Sequence, residues 1–214
     1  MVPEDLVRNQ LGSLMDTMLQ RGVTDPQLMF SAIGDHYSDQ APLQVGQFES
    51  STELVNEGLK KFYLEGGGGG SGEESYLLAW QVAAQHTSID CWEKRRKKGF
   101  LFTVGDERTH HTIEAQRQLQ LFGYDAANNR SAADLLAAAQ VRFHVFHIHI
   151  NSTAYRNNDR LFGQWRERLG KRFVSLDDHT RLGELIAAIV AMVSETDGGG
   201  APVFQQEIGD GMIV

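Results

Sequence analysis

One cysteine, Cys91, stands in a chain of 214 residues. A lone thiol excludes an internal disulfide framework and any cysteine-rich zinc module, and it fits a reducing compartment. Cations are also scarce: 20 Lys and Arg face 28 Asp and Glu, for a formal charge of −8. Nucleic-acid binding needs clustered Lys and Arg on phosphates, and the single basic run, Lys94-Arg95-Arg96-Lys97-Lys98, is too short to supply it. Long apolar runs are missing too. Spanning a bilayer takes about 20 apolar residues, whereas the longest mostly apolar stretch, Leu182 to Val193, is interrupted by Gly183 and Glu184. The first residues, Met1-Val2-Pro3-Glu4-Asp5, are acidic rather than basic-then-apolar, unlike a signal peptide. The expectation is a cytoplasmic protein with neither membrane nor nucleic acid as a partner. The sequence has no Gly-x-Ser-x-Gly elbow for a serine nucleophile, and no Gly-Lys-Ser/Thr follows its glycines as a P-loop would require.

The length suits one large domain, taken as residues 1–196, with a tail at 197–214 after Gly198-Gly199-Gly200. A domain of that size buries roughly 70% of its unfolded surface and needs no disulfide or structural metal to hold it. Residues 3–21 predict a helix: Pro3 suits a first turn, Glu4 and Asp5 suit its dipole, and Leu6, Leu11, Leu14, Met15, Met18 and Leu19 form a stripe. Residues 28–34 predict a buried strand, and residues 43–49 alternate as a half-buried edge strand does. Ser51 or Thr52 can cap a helix that turns Leu54, Val55, Leu59 and Phe62 inward.

A glycine run follows at 66–70, then a strong helix from Tyr76 to about His86 and a solvated basic connector. Residues 99–105, Gly-Phe-Leu-Phe-Thr-Val-Gly, predict a central-type strand. Helices are expected at 109–122, 131–141 (capped by Ser131), 159–169 and 180–194, and strands at 143–150 and 172–176. Alternating strands and helices imply an α/β fold with a mostly parallel sheet and helices on both faces.

In such sheets the ligand crevice lies beyond the carboxyl ends of the strands. Three elements fall there: Gly34-Asp35-His36, the glycine run with Ser71 and Glu74, and Gly105-Asp106-Glu107. Hydroxyl and carboxylate oxygens suit a hard cation such as Mg2+ or Mn2+. Equally, Asp35 can simply close a turn, Glu74 can favour a helix dipole and Asp106 can start a loop. Gly67, Gly69 and Gly72 fit Gly-x-Gly-x-x-Gly, but five consecutive glycines satisfy it trivially and no strand precedes them.

Alternation along 143–150 puts His147 and His149 on one face and His144 on the other. The pair can chelate zinc, but no third ligand stands at a suitable spacing, which favours packing under helices with one hydrogen bond each. His110-His111 is expected to be exposed near a helix start, Asp177-Asp178-His179 to open a helix, and Trp80 and Trp165 to lie in the core. Acidic neighbours around Cys91 favour a buried structural thiol.

The ordered set Phe30-Ser31-Ala32-Ile33-Gly34-Asp35-His36, Gln47-Phe48, Gly-Gly-Gly-Ser71-Gly-Glu-Glu74-Ser75-Tyr76 with Ala79, and Leu101-Phe102-Thr103-Val104-Gly105-Asp106-Glu107 resembles a von Willebrand factor A-like (VWA-like) domain of the bacterial and phage type. The resemblance covers about residues 1–196. It implies a three-layer Rossmann-like sheet with a metal-ion-dependent adhesion site at its carboxyl edge. Asp106 matches the third-loop Asp, Ser71 the polar position of the glycine-rich second loop, and Glu74 the acidic position of that loop. Asp35, His36 and Glu107 flank them as partner-binding residues. The family's first strand and its Asp-x-Ser-x-Ser loop have no counterpart, which implies a truncated or mis-started chain. It also implies an open groove between the 28–34 and 99–105 strands, to be filled by the tail near Val203–Gln206, a partner chain or a second copy. The function implied is a non-enzymatic protein-interaction domain with an incomplete Mg2+ or Mn2+ site. The rival is a metal-dependent hydrolase that uses His147, His149 and a carboxylate such as Asp106. A third reading is a scaffold with no ion.

Overall fold

The computed structural model describes residues 11–64, 72–123, 127–151 and 155–196. In chain order the elements are α1 (Leu14–Gln20), β1 (Ser31–Ile33), β2 (Leu43–Val45), α2 (Thr52–Leu59), β3 (Glu73–Glu74), α3 (Tyr76–Gln85) and α4 (Asp90–Arg95). There follow β4 (Gly99–Gly105), β5 (Arg108–Thr109), β6 (Thr112–Ile113), α5 (Ala115–Phe122), β7 (Arg130–Ser131), α6 (Ala132–Gln140), β8 (Phe143–Ile150), α7 (Asp159–Leu169), β9 (Phe173–Leu176) and α8 (Leu182–Thr196). No described helix is long and apolar enough to cross a membrane.

The centre is a parallel sheet in the order β4-β8-β9. Every residue of β8 is buried, which is why its sequence is apolar or histidine without a polar alternation. Its side chains still alternate faces. Phe143 and Val145 join a core with Leu77, Trp80, Leu135, Leu161 and Trp165 from α3, α6 and α7. Phe146, Ile148 and Ile150 join a second core with Leu14 and Met18 of α1 and a row of α8 residues from Leu182 to Val193. The chain is thus mixed α/β, with apolar helix faces packed against both sides of β8.

The expected strand 99–105 forms over its full length, but among the described residues it lies at the edge of the sheet and β8 takes the middle. The expected buried strand 28–34 is also corrected. The regular strand is Ser31–Ile33; it is half-buried and pairs antiparallel with Leu43–Val45, and an isolated antiparallel bridge between Leu28 and Glu49 continues the pairing. Of the three strand residues before Gly34, Ser31 is polar and only Ala32 and Ile33 are apolar, which suits a hairpin arm rather than a core strand. Among the described residues no ladder joins this hairpin to β4.

Local chemistry accounts for the helix ends. Ser51 Oγ accepts from the backbone N–H of Leu54 at 3.3 Å, and Ser131 Oγ from that of Asp134 at 3.0 Å. Asn158 Oδ1 does the same for Leu161 at 3.1 Å. The carbonyls that close α3, those of Ala83, Ala84 and Thr87, accept from the guanidinium of Arg142, which ties α3 to the turn before β8. Within the described part of the expected helix at 3–21, α1 buries Leu14, Met15 and Met18 but leaves Leu19 exposed. Leu54 of α2 is exposed as well, on the outer side of that helix. The basic connector is part helix: Asp90–Arg95 coil once, Lys94 Nζ pairs with Asp90 at 2.6 Å, and Arg96 ends the turn in the left-handed region. Cys91 is half-buried there rather than fully buried. The helix expected over 109–122 starts only at Ala115, because β5 and β6 take the preceding residues.

Gly105 ends β4 where no side chain fits. A Cβ there would overlap the hydroxyl of the buried Tyr76. Gly105→Ala is expected to cost about 1–3 kcal/mol, as overpacking does. The urea midpoint should fall at unchanged slope. An unchanged midpoint would show that the Tyr76 ring is not held against this strand end.

Candidate metal centre

The turn after β1 is organised by Asp35. Its Oδ1 accepts from the backbone N–H of Tyr37 at 2.9 Å, its Oδ2 accepts from Ser38 Oγ at 3.3 Å, and its own N–H donates to Asp39 Oδ2 at 2.8 Å. The next residue anchors the turn to the start of α3: His36 N–H donates to Ser75 Oγ at 2.8 Å, and His36 Nδ1 lies 2.6 Å from the same oxygen. A two-residue parallel ladder, Glu73 with Arg108 and Glu74 with Thr109, then sets His110 beside this turn. The backbone N–H of His110 donates to Glu74 O at 3.2 Å.

His110 is held from both sides. Its Nε2 is 2.9 Å from Asp35 Oδ1 and its Nδ1 is 3.2 Å from Glu73 Oε2. Asp35, His36 and His110 are 3%, 1% and 6% exposed, which puts all three inside the protein. One donor atom from each lies within 4.8 Å of the others, so this group could hold a metal ion. His36 Nε2 is buried without a hydrogen-bond partner among the described residues. The exposed ring of Tyr37 roofs the pair, 4.1 Å from the His36 ring and 5.1 Å from the His110 ring. Its hydroxyl donates to Glu114 Oε1 at 2.6 Å. Burial, reinforced by the neighbouring His110, pushes His36 down to about 4, so its ring is neutral at neutral pH. Burial works to raise the Asp35 carboxyl, but the Tyr37 N–H and His110 outweigh it and hold the group below the usual range.

An acidic rim adjoins this group. Glu74 loses solvation on burial and feels the charges of Glu107, Asp39, Asp35 and Asp106, which raises it to about 8. Glu74 Oε2 is buried with no hydrogen-bond partner among the described residues. Burial first and Asp106 second also raise Glu107. Tyr76 lies beneath, its hydroxyl held far above its ordinary range by burial and by Glu74, Asp106 and Glu107. Oxygen donors therefore gather where the parallel strands end, at β4 and at the β3–β5 ladder.

The expected metal residues Glu74 and Asp106 act on one another across this rim. Ser71 and the glycine run lie outside the described residues, as do the tail at 197–214 and its possible strand near Val203–Gln206. Asp35 and His36 were expected to meet a partner directly. Both are buried, so they line the interior of the site instead of its surface. Glu107 stays half-exposed on the rim. His110 was expected to be exposed and is buried; only His111 is at the surface. The signal that could have found His110 is its position just beyond Gly105-Asp106-Glu107, at the same strand end as the other candidates.

No family model, no curated protein and no solved structure matches this chain.

His147 and His149 share a face, as alternation requires, and both are fully buried. His147 stacks on Trp165 at 3.6 Å between ring centroids, and its Nδ1 is 2.9 Å from Thr103 Oγ1. Burial holds His147 well below the ordinary histidine range. His149 lies against Phe162; burial lowers it, opposed by the charge of Asp106 and a hydrogen bond with the Tyr155 backbone. Among the described residues the one group of three donors at metal-binding distance is Asp35, His36 and His110, and it contains neither of these histidines.

Proposed function

We propose that this chain is a non-enzymatic protein-interaction domain of VWA-like, three-layer Rossmann-like type, which meets its partner through a hard divalent cation on the acidic rim. The observation that carries this reading is the Glu74 carboxyl, buried in part, with one oxygen lacking a hydrogen-bond partner among the described residues and four other carboxylates acting on it. Such a group is costly unless a cation or a proton neutralises it. The donors fit the ion in kind, since carboxylate oxygens suit magnesium or manganese. Asp106, Glu74 and Glu107 would hold it, and bound there it would supply a positive centre for a carboxylate of a partner protein. Among the described residues the β1–β2 hairpin does not pair with the parallel sheet, which accords with a VWA-like order of strands that lacks one member there.

Magnesium titration tests the reading. At a concentration 100-fold above its dissociation constant, magnesium should stabilise the native state by about 2.7 kcal/mol and raise the thermal midpoint by about 5–10 °C. The double variant Glu74→Ala, Asp106→Ala should not respond. A midpoint in the wild type that stays fixed through millimolar magnesium and manganese would count against the site.

A further inference from the structure

We propose that Asp35, His36 and His110 form a second, separate metal site that takes a zinc-class d-block ion. The donor set differs from that of the rim: two imidazoles and one carboxylate, the combination that borderline ions prefer over magnesium. The inference does not depend on the hard-cation reading, because it uses other donor atoms and another class of ion.

Geometry supports it at three points. Asp35 Oδ1 and His110 Nε2 stand 2.9 Å apart. Ligands about 2.0 Å from a tetrahedral zinc ion lie about 3.3 Å from one another, so this pair is already near the edge length of such a site. The third donor comes from His36, one of whose ring nitrogens lies within 4.8 Å of the other two donors; its Nε2 is buried, in a residue that is 1% exposed, with no hydrogen-bond partner among the described residues. A buried imidazole nitrogen without a partner is costly, and a metal ion resolves that cost.

The third point is the outer support. Each histidine uses its Nδ1 on a neighbour, His110 on Glu73 Oε2 at 3.2 Å and His36 on Ser75 Oγ at 2.6 Å. Where each Nδ1 donates outward, Nε2 keeps its lone pair for the ion, and the ring is fixed in orientation. A carboxylate or hydroxyl behind each ligating imidazole is the usual outer arrangement of histidine metal sites. Three protein donors leave a fourth position, roofed by Tyr37, for water or an oxygen ligand. Binding replaces the His110 to Asp35 contact with a bond from each to the ion.

The test uses the full chain, stripped with EDTA and dialysed against zinc in an otherwise metal-free buffer. About one zinc per chain should remain after further dialysis, and magnesium in large excess should not displace it. Cobalt(II) put in its place should give the visible absorption of a four-coordinate nitrogen and oxygen site. His36→Gln and His110→Gln should each weaken zinc binding at least tenfold. Glu73→Gln, which touches no ion, should weaken it about 10- to 100-fold. The wild type holding far less than one zinc overturns the proposal, and so does any of these variants that unfolds like the wild type and binds zinc equally well. Should the histidine variants fail to fold, Glu73→Gln decides, since its side chain is at the margin of the site, 23% exposed. A magnesium response without retained zinc overturns this site and leaves the rim reading intact; retained zinc with no magnesium response does the reverse.

Discussion

Trp165→Ala is expected to remove about 3–5 kcal/mol of stability, the range for deleting a buried aromatic ring. Trp165 has no exposed surface. Its ring stacks on His147 at 3.6 Å and meets Tyr76 and Trp80 edge-on at 5.5 and 6.2 Å. Its indole Nε1–H donates to the backbone carbonyl of Glu107 at 3.1 Å. Alanine would therefore open a cavity between α7, α3 and β8 and also release the segment that carries the rim. Trp165→Phe fills most of the space and loses the hydrogen bond, so its cost should be nearer 1–3 kcal/mol. Denaturant midpoints of the two variants check both values. A loss below about 1 kcal/mol in Trp165→Ala would mean that α7 does not close this core.

Glu74→Gln is expected to stabilise the protein at high pH and to do nothing at low pH. The Glu74 carboxyl has an ordinary value of 4.5 and is raised to about 8 by burial and by Glu107, Asp39, Asp35 and Asp106. Between those values the native state keeps a proton that the unfolded chain has lost. Stability therefore falls as pH rises from about 4.5 to about 8 and levels off above. Glutamine mimics the protonated form and removes this loss. The gain over wild type should be absent near pH 4 and largest above pH 8, on the order of 1–3 kcal/mol once solvent screening at the exposed side of the group is allowed for. Thermal midpoints of both proteins across this range, without divalent ions, test it. A pH-independent difference would show that the effect lies in packing and not in charge.

Legibility in the sequence varied with the length of the element. Phe143–Ile150 and its neighbours could be read because eight uninterrupted apolar or imidazole residues between two helices admit one arrangement, a strand covered on both faces. The helices that begin at Ser131 and Asn158 carried their own cap signals. Residues 28–34 were harder. A short apolar run looks the same in a core strand and in a hairpin, and only its partner decides. The order of β4 and β8 was likewise set by which strand the flanking helices cover. Asp35 and Asp106 were legible because carboxylates just past strand ends are conspicuous, and Glu74 because it follows the glycine run at the start of a helix. His110 was not, because it is buried by a two-residue ladder between Glu73–Glu74 and Arg108–Thr109, and pairing that short leaves no periodic trace.

The imidazole and carboxylate donors come from distant parts of the polypeptide. Asp35 and His110 lie 75 positions apart, and His36 lies 39 from the serine that orients it. Loops of that size must close before the three donors can meet. The unfolded chain offers no ready-made chelate, so an ion captured there acts as a latch set late in assembly. It would leave the rate of refolding nearly unchanged and retard the first step of opening.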